Sequence, residues 1–109
     1  MEPLKTPTAK SILRAINKQV KEHSSLVVHY SNWYVGVTNN PAVRKNGHGS
    51  KNKEAVYFWE HYNARSLGIA MAIEKHYHAK GMLETGKTGG VAADSKWVYV
   101  YKKYPTIFD

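Results

Sequence analysis

A chain of 109 residues suffices for one small domain that buries roughly 60 to 70% of its unfolded surface, and 42% hydrophobic with 22% charged residues excludes a disordered class. The absence of cysteine excludes disulfides, thiolate metal sites and thiol nucleophiles, and no apolar run approaches a signal-peptide core or the ~18 residues of a membrane span. Sixteen Lys and Arg against eight Asp and Glu give a net charge of +8 and a pI near 9.7, concentrated in residues 1–53, where nine basic side chains face two acidic ones. From these values we expect a single cytoplasmic domain over residues 1–109 with no membrane partner. The charge favours a polyanionic partner, because neutralising phosphates releases counterions.

Thr6-Pro7 reads as an N-cap followed by proline at the first helical position. Ile12, Leu13, Ile16 and Val20 then recur at helical spacing, while Lys10, Arg14, Lys18 and Lys21 take other faces. The expectation is an amphipathic helix over Pro7–Glu22, buried on one side and basic on the other, broken by His23-Ser24-Ser25. Leu26–Tyr30 is a short strand candidate, and Ser31-Asn32 a polar turn into Trp33–Val37, a strand of β-branched and aromatic residues. Those two strands would form an antiparallel hairpin. Asn39-Asn40-Pro41 stops the second strand and opens a short helical turn, on which Arg44 and His48 share a face.

Residues 45–53, KNGHGSKNK, are basic and almost without apolar content. They read as a solvated loop that is either a linker or a phosphate surface, with Lys45, Lys51 and Lys53 beside Arg44 as candidate nucleic-acid contacts. Ala55–Trp59 is a third strand, apolar enough to be central or covered on both faces. Asn63 is a candidate N-cap for a second helix over Ala64–Lys80, closed by Gly81. Its buried stripe is Leu67, Ala70, Met71, Ile73 and Tyr77, with Glu74 inside it. A carboxylate there needs a paired cation or a bound one.

Gly81 with Gly86-Lys87-Thr88 fits the phosphate-loop pattern, but it follows a helix and runs toward a strand, so no nucleotide cofactor is expected. Lys96–Lys102 alternates cleanly, Trp97, Tyr99 and Tyr101 on one face and Val98 and Val100 on the other. The six histidines form no H-x-x-x-H spacing, so no structural zinc is expected. Taken together, the elements describe an α+β fold: a small, mainly antiparallel sheet of three or four strands with flanking helices.

Tyr34, Val35, Gly36, Thr38, Asn40 and Arg44, followed by His48, resemble the second half of the signature of the GIY-YIG nuclease family. The resemblance covers roughly residues 26–102, the N-terminal helix lying outside it, and includes Glu74 as that family's helix glutamate. It implies a metal-dependent endonuclease hydrolysing DNA phosphodiester bonds. Tyr34 would lie beside the attacking water, Arg44 would hold the phosphoryl oxygens, and Glu74 would bind Mg²⁺ or Mn²⁺. The chain departs from the family in two places: no Gly-Ile-Tyr occurs, the corresponding position being Ser24, and no asparagine follows Asn63. Three readings therefore stand side by side: an endonuclease, a catalytically degenerate relative that binds nucleic acid as an accessory module, and a protein-interaction domain.

Overall fold

The computed structural model describes residues 3–25, 27–42, 57–84 and 94–102. A 3-10 turn at Pro3–Lys5 leads into helix α1, Pro7–Glu22. Thr6 caps it: its hydroxyl accepts from the Ala9 amide at 3.2 Å and donates to the Pro3 carbonyl at 2.8 Å. That occupies one of the amide donors a helix start leaves unpaired. Ala9, Ile12, Ile16, Gln19 and Val20 form the buried face, and His23 is the C-cap.

The remaining elements are β1, Trp33–Thr38; β2, Tyr57–Asn63; α2, Leu67–Ala79; β3, Leu83–Glu84; and β4, Trp97–Lys102. The strands lie in the order β2-β4-β1-β3. β4 pairs antiparallel with both β1 and β2, and the two-residue β3 pairs parallel with β1 through Tyr34↔Leu83 and Val35↔Glu84. The fold is α+β, as the sequence suggests.

Strand alternation sorts the sheet into two faces. Trp33, Val35 and Val37 of β1 join Val98 and Val100 of β4 in one apolar cluster with Ile12, Ile16 and Val20 of α1 and Ala70, Ile73 and Tyr77 of α2. Both helices therefore cover this face. Each fully buried Val or Ile contributes about 1.5–3 kcal/mol of transfer free energy. The Tyr77 hydroxyl ties the helices together, its one proton shared between Asn17 Oδ1 at 2.7 Å and the Leu13 carbonyl at 3.1 Å. Lys102 is fully buried on the same face, its ammonium bonded to the His23 carbonyl and lying 5.6 Å from the Trp33 ring centroid.

Four expectations need correction. Val27, Val28 and His29 form no strand and Tyr30–Asn32 is a 3-10 turn, so there is no hairpin into Trp33. β1 is already bordered by β4 and β3, which leaves no edge for another strand, and Tyr30 instead packs on Tyr77 with ring centroids 6.4 Å apart. The third strand runs on through Glu60, His61 and Tyr62 to Asn63, and it is an edge strand rather than a central one. Helix α2 starts at Leu67, with Ser66 as its N-cap and the Ser66 hydroxyl accepting from the Ile69 amide at 3.2 Å. Asn63 makes a local turn instead, its side chain accepting from the amide of Arg65, which adopts φ +69°. Met71 is 44% exposed and lies outside the buried stripe.

Edge strand β2 carries a bulge between Tyr57 and Glu60, with Phe58 at φ +57°. A bulge breaks the ladder and leaves backbone groups to be paired elsewhere. Gln19 does this from α1: its Nε2 donates to the carbonyls of Phe58 (2.8 Å) and Val100 (3.0 Å), and its Oε1 accepts from the Tyr62 hydroxyl (2.7 Å). His23 stacks on the Phe58 ring at 4.2 Å and 12°.

Candidate functional site

Tyr34 points to the face that the helices leave uncovered. In register it sits opposite Tyr101, and the two rings stack at 4.9 Å and 16°. Gly36 sits opposite Tyr99. A Cβ on Gly36 would come within 2.4 Å of the far end of the Tyr99 ring, so only glycine leaves that ring its place across β1. Thr38, opposite Trp97, ends the strand: its hydroxyl accepts from the Asn40 amide at 3.1 Å, and Pro41 and Ala42 are helical. From β2, Trp59 stacks on Tyr99 at 4.8 Å and on Tyr101 at 5.7 Å. Its indole N–H donates to His61 Nδ1 at 3.1 Å, and His61 meets Trp97 edge-on at 5.4 Å. Tyr99 and Tyr101 are fully covered, while Tyr34, Trp59 and Trp97 are half-buried.

Glu74 is half-buried on α2, beside Ile73. Helix α2 packs on the aliphatic face through Ala70, Ile73 and Tyr77, while Tyr34 belongs to the aromatic face. Arg44, His48, Lys45, Lys51 and Lys53 lie outside the described residues. Among the described residues no group of three or more His, Asp or Glu side chains is placed to hold a metal. Glu74 by itself offers one carboxylate, within the one or two through which Mg²⁺ is usually held together with waters and substrate phosphates.

Among the described residues, clefts open beside the sheet in two places. One, of about 270 Å³, lies between Asn39 at the end of β1 and Ser66 at the start of α2, where Asn39 Nδ2 donates to Asp94 Oδ1 at 3.2 Å. The other, about 340 Å³, is lined by Lys18 and Glu22 of α1 with Glu60 and Tyr62 of β2. Burial, followed by the Glu60 and Glu22 charges, pushes the Tyr62 hydroxyl well above the ordinary phenol range. On α2, burial and then Lys80 hold His76 below the ordinary imidazole value.

Sequence reasoning did not foresee the contributions of Trp59 and His61 to the aromatic face. Strand β2 was expected to end at Trp59, and its bulge, which resets which side chains face which way, has no local sequence signal beyond the apolar run. Comparison with known proteins adds nothing to the resemblance read from Tyr34 to His48: no family model, curated protein or solved structure matches the chain.

Proposed function

We propose that this chain is a nucleic-acid-binding domain with a GIY-YIG-like strand and turn, acting as an accessory module that holds DNA through its phosphates without reading sequence. The observation that carries this reading is the charge asymmetry: nine basic against two acidic side chains in residues 1–53, the part of the chain that also contains Tyr34, Gly36, Thr38 and Asn40. Binding to unrelated duplexes, titrated with salt, tests it. Affinity is expected to fall by about 0.9 log unit per log unit of salt for each phosphate contact, with little preference between sequences. Absent or salt-independent binding would favour the protein-interaction reading.

A Mg²⁺-dependent endonuclease is the second reading, favoured by the signature residues Tyr34, Gly36 and Thr38 on β1 and by the half-buried Glu74 on α2. In it Tyr34 orients the attacking water, Arg44 and His48 face the phosphate, and Glu74 holds the cation. The absence of a Gly-Ile-Tyr tyrosine, and of any asparagine after Asn63, weighs toward the accessory module. Plasmid nicking with Mg²⁺ or Mn²⁺ distinguishes the two. Cleavage by the native chain that is lost in Glu74→Gln, with an unchanged melt, establishes the enzyme; no cleavage with either cation leaves the binding module.

A further inference from the structure

The nucleic-acid reading leaves open which surface meets the phosphates, and α1 answers it. Its sequence, PTAKSILRAINKQVKE, holds four basic residues and one acid. At about 100° per residue, Lys10, Arg14, Lys18 and Lys21 fall within an arc of about 80°, spread over about 16 Å of helix axis. All four are exposed, Lys18 by 79%. The ridge points away from the buried face of Ala9, Ile12, Ile16, Gln19 and Val20.

Of these charges only Lys21, in the last turn, is placed to stabilise the helix. A helix gains from acids in its first turn and cations in its last. The first turn of α1 has no acid, and its single acid, Glu22, sits at the C-terminal end. A helix face that is merely solvated usually mixes signs in i, i+4 pairs. Here the one such ion pair, Lys18–Glu22 at 3.7 Å, is exposed on both sides and contributes little. Four like charges along one line repel one another, and a polyanion laid along them relieves that repulsion.

We infer that the basic ridge of α1 is the surface that lies along the phosphate backbone of DNA. The inference rests on the nucleic-acid reading and goes beyond it, since α1 lies outside the stretch that resembles the nucleases. Four cations spread over about 16 Å of a rigid helix span roughly five phosphates of one strand, which recur every ~3.4 Å of duplex axis. Contacts of this kind fix position and carry no sequence information. A lipid surface fits less well: Ile12, Ile16 and Val20 are committed to the core, so α1 has no apolar face to insert into a bilayer.

The experiment measures duplex affinity against salt for the full chain and three variants. The first carries Lys10→Gln, Arg14→Gln, Lys18→Gln and Lys21→Gln, which keeps good helix formers. The second removes four exposed charges elsewhere, Arg65→Gln, Lys75→Gln, Lys80→Gln and Lys96→Gln. The third keeps the ridge charge with Lys10→Arg, Lys18→Arg and Lys21→Arg. The ridge variant is expected to lose about 3–4 units of log–log salt slope and at least about tenfold in affinity at 0.1 M salt, the other two less than about one unit. Equal losses in the first two variants would mean net charge rather than the ridge is at work, and would overturn the inference. So would a ridge variant that binds like the native chain, while leaving the nucleic-acid reading intact. A native chain that fails to bind duplex, whether or not it binds phosphatidylserine vesicles, overturns both.

Discussion

The two faces of the sheet are built by different physics from strands they share. On the helix face, β1 and β4 contribute Trp33, Val35, Val37, Val98 and Val100, and the helices answer with aliphatic side chains plus two polar ties, Gln19 and Tyr77. On the other face the same strands contribute Tyr34, Tyr99 and Tyr101, and β2 adds Trp59, so contact is between rings 4.8 to 6.3 Å apart. Aliphatic packing is non-directional and leaves position to be set by hydrogen bonds, whereas stacked rings set their own spacing but need room. The first face should therefore be most sensitive to losing a polar tie, and the second to gaining an atom.

The largest effect is expected on the helix face from Gln19→Leu. The substitution keeps approximate shape but removes both donors to Phe58 and Val100 and the acceptor for Tyr62. Groups left buried without partners cost about 1–3 kcal/mol each. Tyr62 is half-buried at an open cleft, so a total of about 3 kcal/mol is expected, or a fall in Tm of more than about 10 °C. A melt within about 3 °C of the native chain would show that the bulge does not depend on this residue.

Next comes Gly36→Ala on the aromatic face. The new methyl would meet the end of the Tyr99 ring at 2.4 Å, and that ring is fully buried beneath Trp59. Overpacking of this kind costs about 1–3 kcal/mol. Combining it with Tyr99→Ala, which empties the space, should give a loss smaller than the sum of the two single losses. Strict additivity would mean the glycine acts through backbone freedom rather than room. This bears on the signature itself, because the glycine of Tyr34-Val35-Gly36 is here explained by packing with no appeal to chemistry.

Features written in short-range pattern were legible in the sequence. Helix α1 runs over Pro7–Glu22 as Thr6-Pro7 and the spacing of Ile12, Ile16 and Val20 indicate, and the alternation of β4 assigns Tyr99 and Val100 to opposite faces. Strand pairing was not legible, because partners far apart in sequence decide it: β1 takes β4 and β3 rather than the segment just before it. The start of α2 moved three residues because the left-handed Arg65 delays the helix until Ser66 caps it. Whether Tyr34 and Glu74 converge was not legible for a related reason. Spacing says where each sits on its own element, but only the sheet order and the helix side say whether two elements present them to one cleft.

The smallest effect is expected from Tyr77→Phe, which loosens the helix–helix tie without touching the aromatic face. The hydroxyl is shared between the Leu13 carbonyl and Asn17, and its removal should cost about 1 kcal/mol near neutral pH. Its pH dependence is the sharper test. Burial, with smaller contributions from Tyr30 and Tyr62, raises Tyr77 well above its ordinary value of 10.0. The folded chain thus keeps a proton that the unfolded chain releases once pH passes about 10, so the stabilisation is complete below that pH and is lost as pH climbs toward the raised folded value. Tyr62 shifts in the same direction and adds to the same alkaline limb. Melts between pH 7 and 11.5 should show the native Tm falling from about pH 10 upward, and Tyr77→Phe starting lower but falling less steeply. Parallel alkaline limbs in the two proteins would mean that Tyr77 ionises as readily folded as unfolded, and the tie between the helices would then be open to water.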